Sequence, residues 1–164
     1  MSFAAHKIES ADKPAFYREL CEQLRGLLAG EADMIANAAN TVALLFQHMP
    51  DINWAGFYFL REGEELVLGP FQGKPACVRI AKGRGVCGAA VQRRATMLVE
   101  DVHAFPGHIA CDDASRSELV APLIVSDRVL GVLDLDSPVT ARFDAEDQAG
   151  IEEIVAIFLE AATA

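Results

Sequence analysis

Three features of the sequence predict an α+β fold with a largely antiparallel central sheet flanked by helices. Helical apolar periods lie at both ends of the chain, extended apolar runs are confined to the middle, and short turn signals join neighbouring runs as hairpins. From Pro14 onward, Tyr17, Leu20, Cys21, Leu24, Leu27 and Leu28 recur at helical spacing, and Gly30 ends that helix. A second helix is expected from Ala32 to His48, small-residue-rich up to Val42 and stopped by Pro50. Ile52 to Leu60 reads as a strand, Arg61 to Glu65 as a hairpin turn and Leu66 to Gly69 as its return. A third extended segment is expected at Ala76 to Ile80, after the turn at Gln72 to Pro75.

Lys82-Gly-Arg-Gly85 then breaks the chain, Val86 to Arg93 has the spacing of a short helix, and Thr96 to Val99 that of a strand. Asp101 to Ser117 has neither apolar period and is expected to be a long loop, a length often associated with function. Glu118 to Val125 and Val129 to Leu135 form a hairpin about Ser126-Asp127-Arg128, and their near-continuous apolar character predicts burial on both faces. The closing helix takes Asp144 as N-cap and puts Ile151, Ile154, Val155, Phe158 and Leu159 on one face. No repeat, linker or composition break divides the 164 residues, which predicts a single domain over 1–164.

A formal charge of −10 without a basic run disfavours nucleic acid as a partner. The N-terminal residues lack an apolar signal core, and no segment reaches the roughly 20 apolar residues of a membrane span. A soluble cytoplasmic protein is expected, where thiols are normally kept reduced. The four cysteines are then a question of thiol chemistry or burial. Cys21 lies on the apolar stripe of the first helix and reads as a small buried hydrophobe. Cys77, Cys87 and Cys111 lie beside glycine turns or in the long loop. Structural zinc would need the C-x₂₋₄-C knuckle, which these spacings of 10 and 24 residues do not provide, and no metal is expected. A redox set fits better: one thiolate takes oxygen from an oxidised substrate and a second closes a disulfide.

On electrostatics, Cys87 is expected to be the better nucleophile, because it sits in the first turn of the short helix close to Arg84. Cys111 precedes Asp112 and Asp113, whose charges oppose a thiolate. Glu118, Asp134 and Asp136 punctuate apolar strands, and alternation puts the last two on one face. They are either a solvated strand end or a pocket for an ammonium group. Trp54 and Tyr58 share strand parity and form either part of the core or an aromatic wall.

Together, Phe71-Gln-Gly-Lys-Pro-Ala-Cys77-Val-Arg-Ile80, Gly83-Arg-Gly-Val-Cys87-Gly88, Phe105-Pro-Gly-His-Ile-Ala-Cys111-Asp112 and Ser115-Arg-Ser-Glu118 resemble the free methionine-R-sulfoxide reductase family. The likeness continues through Val120-Ala-Pro-Leu123 and Leu130-Gly-Val-Leu-Asp-Leu-Asp-Ser137, with Ala121 in place of a bulkier aliphatic residue. The resemblance implies a GAF fold, usually dimeric, and reduction of the R epimer of free methionine sulfoxide, with thioredoxin as external reductant and no bound cofactor. It implies Cys111 as the nucleophile that becomes a sulfenic acid, Cys77 as the resolving thiol and Cys87 as an auxiliary thiol, so on this point it overrides the electrostatic ranking. Glu118, Asp134 and Asp136 match the family's carboxylates, and Trp54 and Tyr58 its aromatic wall. The alternatives are a GAF domain that senses a small ligand, or one that senses redox state without a dedicated substrate.

Overall fold

The computed structural model describes residues 5–163 apart from 11, 63, 110 and 111. Helix α1 (Lys13–Leu28) begins where the Asp12 side chain accepts the Ala15 N–H, and α2 (Met34–His48) where Asp33 accepts the Ala36 N–H. These caps satisfy backbone donors that the first helical turn leaves open, so α2 starts two residues later than its apolar period suggests. The final helix, α4 (Ala145–Thr163), has a reciprocal cap. Asp144 accepts the N–H groups of Glu146 and Asp147, while Asp147 accepts the N–H of Asp144.

Between the helices, strands β1 (Trp54–Arg61), β2 (Glu65–Gly73), β3 (Arg79–Ala81), β4 (Met97–Val99), β5 (Ser117–Val125) and β6 (Arg128–Ser137) form one sheet in the order β3-β2-β1-β6-β5-β4. Every neighbouring pair is antiparallel, as the hairpin signals predict. The β5–β6 turn is tighter than expected: Ser126 and Asp127, both at positive φ, turn the chain and Arg128 already pairs with Val125. Strand β3 begins three residues later than its apolar run. Its last ladder pair sets Arg79 opposite Val67; beyond it the Leu68 N–H reaches the Val78 carbonyl at 2.9 Å, and the Cys77 carbonyl accepts the Tyr58 hydroxyl at 2.9 Å.

The two faces of the sheet have separate cores. Ala55, Phe57 and Phe59 of β1, Leu119, Ala121 and Leu123 of β5, and Leu133 and Leu135 of β6 pack under α1, α2 and α4. On the opposite face, Trp54, Tyr58, Val120 and Val132 pack with the short helix α3 (Gly85–Arg93) and the long segment after β4. Burial on both faces explains why the central strands read as near-continuous apolar runs. The predicted loop after β4 is not wholly irregular: Val102–Ala104 forms a 3₁₀ turn, with Val102 fully buried and its N–H bonded to the Arg116 carbonyl at 2.8 Å.

Among the described residues, no helix is long and apolar enough to cross a membrane.

Candidate active site

Strand register assembles the acids. Glu118 of β5 is opposite Asp136 of β6, Val120 is opposite Asp134, and β1 sets Trp54 against Asp136 and Gly56 against Asp134. Directly paired residues share a face, so the three carboxyls and the two aromatics project on the side away from α1, α2 and α4. The Trp54 ring stacks on Tyr58 at 5.9 Å and on Phe71 at 5.5 Å, and its indole N–H donates to the Lys74 carbonyl. Gly56 leaves room for that indole, because a Cβ there would strike the far edge of the Trp54 ring and come within 2.6 Å of the Phe71 Cβ. The five residues line a cavity closed from above by α3, the β2–β3 connection and the segment around His108.

Glu118 and Asp134 are each 6% exposed. Burial, followed by their mutual charge, pushes Glu118 well above the usual carboxylate range, and Asp136 is raised by burial and by Asp134. Burial also raises Asp134, to about 7, although hydrogen bonds with Cys87 and Glu118 pull against it. The three carboxyls therefore titrate together, with Asp134 changing state near pH 7. Among the described residues no lysine or arginine pairs with any of the three, whereas the His108 Nε2 lies 3.7 Å from Glu118 Oε2. Burial and the neighbouring His103 lower the His108 pKa, which keeps that imidazole neutral.

Cys87 is a free thiol, 4% exposed, whose Sγ donates to Asp134 Oδ2 at 3.3 Å. This corrects the electrostatic expectation for it. Arg84 is exposed, and burial together with the charges of Asp134 and Glu118 drives the thiol well above its ordinary pKa. Cys87 is thus a protonated hydrogen-bond donor to the acids. Cys77 lies on the β2–β3 connection, half-buried against the same core. Cys111 lies outside the described residues. Cys21, also a free thiol, is buried on the opposite face of the sheet, as its position on the apolar stripe predicts.

The pattern of the sequence did not single out Asn53, Lys74 or Ser115. The Asn53 amide donates to Asp112 Oδ2 at 3.2 Å and to the Ser115 hydroxyl at 3.1 Å, and the Lys74 ammonium meets Asp112 Oδ1 at 3.2 Å. The Ala114 N–H, then Lys74 and Asn53, hold Asp112 below the usual carboxylate range. The anion expected beside Cys111 is therefore present, and a cation 38 residues away in sequence faces it. A lysine after a turn glycine carries no local sign of that pairing.

A GAF-domain family model matches residues 15–162. Over 145 residues the chain is 56% identical to the free methionine-R-sulfoxide reductase of Escherichia coli (strain K12), an alignment spanning 88% of this chain and 87% of that protein. It is 43% identical over 147 residues to the free methionine-R-sulfoxide reductase of Saccharomyces cerevisiae, covering 83% of this chain and 82% of that protein. The fold superposes with a TM-score of 0.95 on the X-ray structure of free methionine-R-sulfoxide reductase from Neisseria meningitidis in complex with its substrate, at 44% identity over 99% of this chain and 96% of that one. With the same fold and this level of identity along nearly the whole chain, the protein belongs to the GAF-domain family of free methionine-R-sulfoxide reductases.

Proposed function

We propose that this chain reduces free L-methionine-(R)-sulfoxide to methionine, with Cys111 as nucleophile, Cys77 as resolving thiol and the buried carboxyls as binding and proton-donating groups. The observation that carries the reading is the set of three carboxyls, buried, raised above the ordinary carboxylate range and facing a cavity with an indole on its wall. An ionised carboxylate of the set receives the substrate ammonium, Trp54 packs against the methyl group, and backbone N–H groups of the segment around His108 receive the substrate carboxylate. A protonated partner donates to the sulfoxide oxygen, which makes the sulfur more electrophilic.

Cys111 attacks sulfur, oxygen passes to the thiol as a sulfenic acid, and methionine leaves as the two-electron-reduced product. Cys77 then attacks the sulfenic sulfur, releasing water and closing a disulfide. The involvement of Cys77 in a disulfide supports that second step. Cys87, held as a neutral thiol against Asp134, is an auxiliary group. Thioredoxin supplies the dithiol that returns the pair to the reduced state, no bound cofactor takes part, and the working form is a cytoplasmic homodimer. An ammonium pocket explains a restriction to the free amino acid, since a peptide-bound residue has no such charge to offer.

The test is a single turnover. Pre-reduced protein without thioredoxin is mixed with excess free R-sulfoxide, and methionine is counted per chain together with the loss of free thiols. One methionine released and two thiols consumed per chain, both abolished by Cys111→Ser, is the expected result. Release that survives Cys111→Ser would remove the assigned nucleophile, and absence of release would remove the reductase reading.

A further inference from the structure

We propose that Cys87, Glu118 and Asp134, with water in a fourth position, form a binding site for one thiophilic divalent cation of the zinc type, taken up in competition with the substrate ammonium. The Cys87 Sγ and one oxygen from each of Glu118 and Asp134 all lie within 4.8 Å of one another. One edge of the set is tighter, at 3.3 Å from Cys87 Sγ to Asp134 Oδ2, and the His108 Nε2 stands 3.7 Å from Glu118 Oε2, outside the set. A tetrahedral zinc ion, with bonds near 2.3 Å to sulfur and 2.0–2.1 Å to nitrogen and oxygen, has ligand–ligand edges of about 3.3–3.6 Å. The three protein ligands lie within 4.8 Å of one another, so side-chain rotations of about an ångström bring them to such edges, with water in the fourth position.

A second observation points into the same space. Asp134 is 6% exposed and lines the cavity, and apart from the Glu118 carboxyl beside it no donor among the described residues reaches its Oδ1. Two buried carboxyls side by side call for a cation between them. The proton held between Glu118 and Asp134 is the smallest one that answers. A metal ion replaces it: binding releases the Cys87 thiol proton and the carboxyl proton to solvent and forms bonds to the sulfur and to a carboxylate oxygen of each acid. No oxidation state changes. The ligands come from α3, β5 and β6, so no short sequence spacing announces them, unlike the zinc knuckle.

That the ion competes with an ammonium rests on the reductase reading, whereas the binding itself does not. The experiment therefore reads metal binding directly, in the full-length Cys77→Ser/Cys111→Ser variant, whose only cavity thiol is Cys87. Cadmium is titrated while its ultraviolet thiolate-to-metal charge-transfer band is followed. Saturation at one cadmium per chain, displacement by zinc, loss of the band on adding Cys87→Ser and at least a tenfold weaker affinity with Asp134→Asn are expected. Because asparagine keeps the shape of aspartate, the Asp134→Asn arm remains informative even where the third cysteine substitution unfolds the chain. No saturable binding, or binding unchanged by Cys87→Ser or Asp134→Asn, overturns the site. A parallel assay of the unsubstituted enzyme, in which zinc raises KM for the sulfoxide and leaves kcat unchanged, tests the competition alone.

Discussion

Asp134 occupies an unusual place for a carboxyl, beneath the chain's surface with a thiol donating to it and another carboxyl beside it. Its pKa rises from 3.8 to about 7, so between those values the folded state holds a proton that the unfolded state has lost. Stability contributed by this group therefore falls as pH rises from about 4 through 7. Asp134→Asn is expected to be more stable than the parent at pH 8, by an amount on the order of a few kcal/mol, and the gap should close toward pH 4. Urea melts of the two proteins at both pH values check this. The same titration sets the activity profile: KM should rise as pH falls below about 7 and the ammonium partner takes up its proton, and Glu118→Gln should raise KM about tenfold or more. The alternation in Leu133-Asp134-Leu135-Asp136 made the shared face legible in the sequence. The state of Cys87 was not legible, because the group that fixes it is 47 residues away and only strand pairing brings it near.

The helical layer behind the sheet is held at the element scale by two contacts between α1 and α4. Asp147, 1% exposed, accepts from the Tyr17 hydroxyl at 2.8 Å and pairs with Lys13 at 2.5 Å and Arg142 at 3.2 Å. Removing one member of a buried charge network strands the others, so Asp147→Asn should cost about 3 kcal/mol in chemical denaturation. Gly150, one turn on, faces the Tyr17 ring, and a Cβ there would fall inside it. Gly150→Ala should cost about 1–3 kcal/mol by forcing α4 away from α1, and in both variants KM should stay near its parent value because the site lies on the other face. The helices were legible from their apolar periods and caps, whereas the start of β3 was not. Its apolar run starts at Ala76, whereas the ladder reaches only to Arg79, and the Cys77 carbonyl is taken by the Tyr58 hydroxyl of β1.

Across the whole molecule, the sheet separates a structural face from a reactive one, and the segment from 101 to 116 spans the reactive side. Its two ends are tied down by Val102 to Arg116 and by Arg116 to Ser137, and near its far end Asp112 is fastened to Asn53 and Lys74. If Cys77 and Cys111 exchange between dithiol and disulfide, that segment carries the change. Amide hydrogen exchange over residues 101–116 should differ between the reduced and oxidised protein while α1 and α4 stay the same, and identical protection in both states would count against the motion. The sequence showed this segment only as a stretch without period; its anchors are the side chains of Asn53 and Lys74, just outside β1 and β2, and a backbone carbonyl of β6.

The central claim is that this cavity recognises a free amino acid sulfoxide and reduces it. Thioredoxin-coupled NADPH consumption measured with free methionine-R-sulfoxide, its S epimer and an N-blocked peptide form tests it most directly. The account predicts turnover of the free R form alone, lost in Cys111→Ser. Equal turnover of the blocked form would contradict the ammonium pocket, and no turnover of any form would contradict the reductase assignment itself.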